Sequence, residues 1–149
     1  MHDQLSQQGI TMPTEDSFSG DNFTDADRAA LKPFVGQPMT TGAQAKAFAD
    51  HYIWVHMNAA SGGKTYEEVS SEYLALDDKT TDEAVQMGQL RQTLFMGNTL
   101  RGLLLNAYAF GTMGIIAGYV SIAAFVAAVV MAVLVFLGLR HSKQVVVKA

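Results

Sequence analysis

The sequence predicts an all-α membrane protein, with a small extracytoplasmic helical head on one long C-terminal transmembrane helix. Three observations carry that expectation. From Gly102 to Leu139 the chain runs 38 residues without a charged side chain. All 14 acidic residues and 7 of the 10 basic ones precede that stretch, while only Arg140, Lys143 and Lys148 follow it. Helix start and stop signals recur through the N-terminal part, and no alternation long enough for a strand accompanies them. The 149 residues include no cysteine, which excludes disulfides, Cys-ligated zinc and iron–sulfur clusters. A net charge of −4 excludes a basic nucleic-acid binder.

Residues 1–40 read as an irregular arm carrying one short helix. Met1 to Phe23 is polar and rich in turn formers. Thr24 is placed to cap a helix whose first turn holds Asp25 and Asp27, and Pro33 is expected to stop it after Lys32. Gly36–Pro38 is a loop. Residues 41–100 form the extracytoplasmic helical region. A helix from Thr41 to about Ala60 places Ala45, Phe48, Ala49, Tyr52, Val55, His56 and Ala59 on one face. Ser61-Gly62-Gly63 ends it, because glycine takes the left-handed C-terminal conformation at little cost. Thr65 and Glu68 match a capping box, opening a helix through Leu76 that buries Val69, Tyr73 and either Leu74 or Leu76. Asp77-Asp78-Lys79 breaks that helix. Thr80 and Glu83 repeat the box and start the long helix.

Residues 101–139 are the juxtamembrane and transmembrane helix. A span needs about 20 apolar residues, whereas 38 helical residues rise about 57 Å. One helix with two environments fits best: Gly114 to Leu139 crosses the bilayer, and the preceding part continues outside it or along the interface. Residues 140–149 form a basic tail, which assigns the C-terminus to the cytoplasm and the head to the outside of the plasma membrane. Tyr108, Phe110 and Tyr119 suit the outer interface; Arg91 and Arg101 flank that end and count against this orientation. An inverted, N-in tail anchor is the alternative. Within the span, Gly111, Gly114, Gly118, Ser121, Ala124, Ala128 and Ala132 recur every three or four residues, a stripe suited to close helix packing. Ile115, Tyr119, Ile122, Val126, Val129, Val133 and Phe136 are suited to lipid. Helix packing is the only residue role assigned; no catalytic, cofactor-binding or metal residue is expected.

Little else points to chemistry. His51 and His56 are five positions apart, about 140° around an α-helix, and do not pair as metal ligands at i and i+4 would. Ser61-Gly62-Gly63-Lys64-Thr65 superficially resembles a phosphate loop, but it lacks the spacing and reads better as a cap followed by a new helix. The span holds no ionisable groups of the kind that mark an ion or proton path.

The stretch from Ala43 to Tyr66, ending Asn58-Ala59-Ala60-Ser61-Gly62-Gly63-Lys64-Thr65-Tyr66, is followed by Leu94-Phe95 and by Thr99-Leu100-Arg101-Gly102-Leu103-Leu104-Leu105-Asn106-Ala107-Tyr108. These blocks resemble small actinobacterial membrane proteins often labelled "aromatic ring-opening dioxygenase". The resemblance spans roughly residues 4–140. The label implies an iron site of two histidines and a carboxylate, and this sequence offers no such set, so no enzymatic activity is expected. The resemblance also implies a further membrane helix ahead of residues 4–10, with Met1 marking a truncated start. By type, it implies an accessory subunit of the cytochrome bc–cytochrome oxidase supercomplex, partnered by integral membrane subunits and lipid. The other readings are a self-associating envelope scaffold, and a ligand-binding or enzymatic head around His51, Tyr52 and His56.

Overall fold

The computed structural model describes residues 2–146. Short-range capping accounts for most helix starts. Thr24 opens α2 (Asp25–Leu31), its hydroxyl accepting from the Asp27 N–H while the Asp27 carboxylate accepts from the Thr24 N–H. Thr65 and Glu68 do the same for α5 (Tyr66–Ala75). Thr41 and Gln44 do so for α3 (Gly42–Phe48). Reciprocal caps of this kind satisfy backbone donors that a helix start otherwise leaves unpaired. Gly62, at φ +62°, terminates α4 (Trp54–Ser61) in the left-handed conformation. The long helix α6 (Asp82–Val146) holds 65 residues. It is capped by Thr81, whose hydroxyl accepts from the Ala84 N–H, rather than by Thr80. Asp78 takes both the N–H and the hydroxyl of Thr80, which moves the start one residue on.

The N-terminal arm is better ordered than its composition suggests. It forms α1 (His2–Gln7), a 3-10 turn (Glu15–Phe18) and an isolated antiparallel bridge between Thr11 and Pro38. The bridge rests on Met12 N–H donating to Gln37 O and Met39 N–H donating to Ile10 O, each at 2.8 Å. Leu5, Met12, Phe18 and Phe23 are buried from the arm, so it supplies about as much of the core as any helix does. Alpha-2 stops at Leu31, one residue short of the expected Lys32, and the chain then tightens into a 3-10 turn (Lys32–Phe34) with Pro33 in its first turn, where a missing N–H costs nothing.

The chain falls into two units, Met1–Gly111 and Thr112–Ala149. In the first, the α6 residues up to Gly111 form a spine. The helix starting at Gly42 runs antiparallel to it: an added Cβ on Gly42 would meet Tyr108 Cα at 2.9 Å, and one on Gly97 would meet the Met57 side chain. Alpha-5 continues the same way, with Tyr73 against Gly88 and Arg91 Nε donating to Ser70 Oγ at 2.9 Å. The main core joins arm residues to Leu31, Met39, Ala45, Ala47, Ala49, Val55 and Leu104, and a second cluster joins Met57, Val69 and Leu94. Val69 is buried and Tyr73 partly so; of the two leucines Leu76 is the partly buried one, and Leu74 is exposed.

One buried polar side chain holds the start of α3. Gln44 is 5% exposed, and its Oε1 accepts from the N–H groups of Thr40 and Thr41 at 2.8 and 3.0 Å. Its Nε2 donates to Gln37 Oε1 at 3.2 Å. Gln44→Ala leaves two backbone donors without their acceptor and should destabilise this unit by about 2 kcal/mol. Urea unfolding followed by the emission of Trp54, the only tryptophan, measures it; a loss below ~0.5 kcal/mol, ordinary for a surface change, would contradict the arrangement.

In the second unit α6 continues, and its side chains from Ile115 to His141 are exposed. Alpha-6 is the one helix among the described residues long and apolar enough to cross a membrane, and none of its most apolar stretch is buried within the chain. No strand occurs among the described residues. Of the basic tail, Lys148 lies outside them.

Candidate docking site

The helix from Gly42 to Ser61 is not uniform. Between α3 and α4 a π-helical turn, Ala49–Ile53, inserts an extra residue, and Trp54 N–H reaches back to Ala49 O. The inserted residue shifts the face that follows. Ala45, Ala49 and Val55 are buried as the period implies, but beyond the turn Met57 and Ser61 are buried while His56 and Ala59 are exposed. A π turn of this kind frequently marks a functional contact, and here it receives α6. Arg101 Nε donates to Ala49 O at 3.0 Å, Arg101 Nη2 donates to Asp50 Oδ1 at 3.0 Å, and the guanidinium lies 4.5 Å from the Trp54 ring centre. Lys46 Nζ donates to the other Asp50 oxygen at 2.6 Å. Arg101 is therefore tied into the fold of its own unit and is not a free charge beside the span.

The same turn brings both central histidines to one segment, against the 140° separation of a regular helix. His51 Nδ1 lies 2.8 Å from Asp27 Oδ1, and the His56 ring stands edge-on to Phe23 and to Tyr52, with centres 5.5 and 4.5 Å apart. Phe23 and Asp27 thus each engage one histidine. No group of three histidine, cysteine or acidic side chains is placed to hold a metal ion among the described residues.

Asp27 and Asp50 both respond to this packing. Burial acts to raise each carboxyl, but hydrogen bonds outweigh it, from Thr24 and His51 to Asp27 and from Lys46 and Arg101 to Asp50. Both carboxyls sit below their ordinary value of 3.8. A carboxylate with a depressed folded-state value stabilises the fold above its unfolded value, and that stabilisation is lost as pH falls through 3.8 and the lower folded value. Stability should accordingly fall from about pH 5 downward. In Asp27→Asn this fall should be shallower, read from unfolding midpoints across pH; an unchanged slope would contradict the Asp27 pairing.

Two further surfaces are apolar. In the first unit a groove of about 890 Å³ lies between the arm, the π-turn helix and the α6 residues from Leu100 to Phe110. Leu5, Ile10, Phe48 and Ile53 line its inner side, and Gln4, Gln8 and Asn106 are the polar residues in its lining. The stripe of small residues lies along α6, with Gly111 closing the first unit and the others in the second. Gly111 is partly buried, whereas Gly114, Gly118, Ser121, Ala124, Ala128 and Ala132 are exposed. A Cβ added at Gly114 or Gly118 would meet nothing within 4 Å. Ser121 Oγ donates to Ala117 O at 2.8 Å, so its hydroxyl is satisfied within its own helix. The residues suited to lipid, from Ile115 to Phe136, are exposed too.

The Ser61–Thr65 block is a helix junction. Gly63 N–H donates to Asn58 O at 2.9 Å, Thr65 caps α5, and Lys64 Nζ donates to both Glu72 oxygens at 2.8 and 2.7 Å. Comparison with family models, with curated proteins and with solved structures finds no match to this chain.

Proposed function

We propose that this chain is a non-catalytic accessory subunit of a larger membrane complex. Alpha-6 anchors it, and the face carrying Gly111, Gly114, Gly118, Ser121, Ala124, Ala128 and Ala132 docks on an integral membrane partner. The observation that carries the reading is the open small-residue face: an apolar helix with no cover of its own and two glycines with free space at Cβ. In lipid, helices associate through close packing of small residues, because the hydrocarbon offers no hydrophobic drive between them.

The basic residues that follow the span support a cytoplasmic C-terminus in the plasma membrane. Arg140 and Lys143 then mark the cytoplasmic side. By its resemblance, the complex proposed is the actinobacterial cytochrome bc–cytochrome oxidase supercomplex. Affinity purification of the tagged chain in mild detergent, with mass spectrometry, tests this. Recovery of oxidase and bc-complex subunits is expected. Recovery of this chain alone, or of its own oligomers, would contradict it.

A further inference from the structure

We infer that the groove of the N-terminal unit holds an acyl chain of a membrane lipid. The inference rests on the reading of α6 as a membrane anchor, and two observations select this occupant. The first is the chemistry of the lining. No charged residue contributes to it, and its polar members, Gln4, Gln8 and Asn106, are neutral carboxamides. A peptide recognised by charge therefore finds no partner there, whereas a hydrocarbon chain finds walls of matching polarity. The volume of about 890 Å³ falls within the ~300–1,000 Å³ typical of ligand sites.

The second observation is continuity along α6. The α6 side of the groove runs from Leu100 to Phe110 and ends four residues before Gly114 in the sequence. Gly114 is where the bilayer-crossing segment begins. Leu100, Leu103 and Phe110 are 50%, 61% and 66% exposed. A contiguous apolar surface of this kind marks an interaction site, and beside a membrane span the apolar ligand at highest local concentration is a lipid tail.

Photolabelling tests this. The full chain is placed in phosphatidylcholine vesicles doped with a phosphatidylcholine that carries a diazirine at the end of one acyl chain. After irradiation, lipid adducts are expected on residues 4–10 as well as on residues 114–139. Residues 4–10 are far from the span in sequence, so groove occupancy is what brings the label to them. In Leu103→Glu a carboxylate faces the acyl chain, and labelling of residues 4–10 should fall about tenfold or more while the span stays labelled. Leu103 is exposed, so the variant should keep the fold, checked by Trp54 emission. A labelled span with unlabelled residues 4–10 would overturn the inference and leave the anchor intact, and so would unchanged labelling in Leu103→Glu. The first of these is also the outcome if the groove serves a protein partner. No label on either segment would overturn the anchor, and the inference with it.

Discussion

Gly42→Ala should destabilise the N-terminal unit by about 2–3 kcal/mol. The added methyl group would sit 2.9 Å from Tyr108 Cα and 3.3 Å from Ala107 O, both backbone atoms, so no side chain can turn aside to admit it. Alanine also favours the helical state over glycine, by at most ~1 kcal/mol. The clash exceeds that gain, and the sign is destabilising. Urea unfolding of the detergent-solubilised chain, followed by Trp54 emission, reads the difference. A variant as stable as the parent would show that α3 and α6 do not approach this closely.

Arg101→Ala should have an effect of similar size, about 3 kcal/mol. Removing one member of a fully buried ion pair costs ~3–5 kcal/mol. Asp50 is 23% exposed and keeps Lys46, which reduces that loss. The lost hydrogen bond to Ala49 O and the lost contact with the Trp54 ring add to it, the latter about 1 kcal/mol. Arg101→Lys should recover under half of the loss, because an ammonium cannot donate to Ala49 O and Asp50 together while stacking on the indole. An Arg101→Lys variant as stable as the parent would contradict the forked contact. A Trp54 emission spectrum unchanged in Arg101→Ala would contradict the stacking.

Features set by neighbours three or four residues apart were legible in the sequence. The caps at Thr24 and Thr65, the left-handed Gly62 and the uninterrupted apolar run of α6 are all of this kind. Thr80 gave way to Thr81 because Asp78, two residues upstream, competes for it. The packing of the arm could not be read this way: Leu5, Met12, Phe18 and Phe23 are spaced without period, and each is buried against residues distant in sequence. The π turn was hidden for a related reason. A regular period fits the sequence of the helix from Gly42 to Ser61, and only the fit to α6 and α2 shows the inserted residue. Arg101 and Asp50 are 51 positions apart, and His51 and Asp27 are 24 apart. No local pattern relates either pair. The small-residue stripe was legible, since a single helix carries it, but a stripe does not name what packs on it.

The central claim is that one face of the α6 span docks on another membrane protein. Ala128 and Val126 lie two positions apart, about 200° around the helix, so they sample the small-residue face and the opposite side at one depth. A photoreactive amino acid placed at each in turn, irradiated in native membranes, compares the two sides directly. The expected result is a covalent adduct to a different membrane protein from position 128 and lipid adducts alone from position 126. Adducts to the same protein from both positions, or from 128 only to lipid or to a second copy of this chain, would contradict the claim.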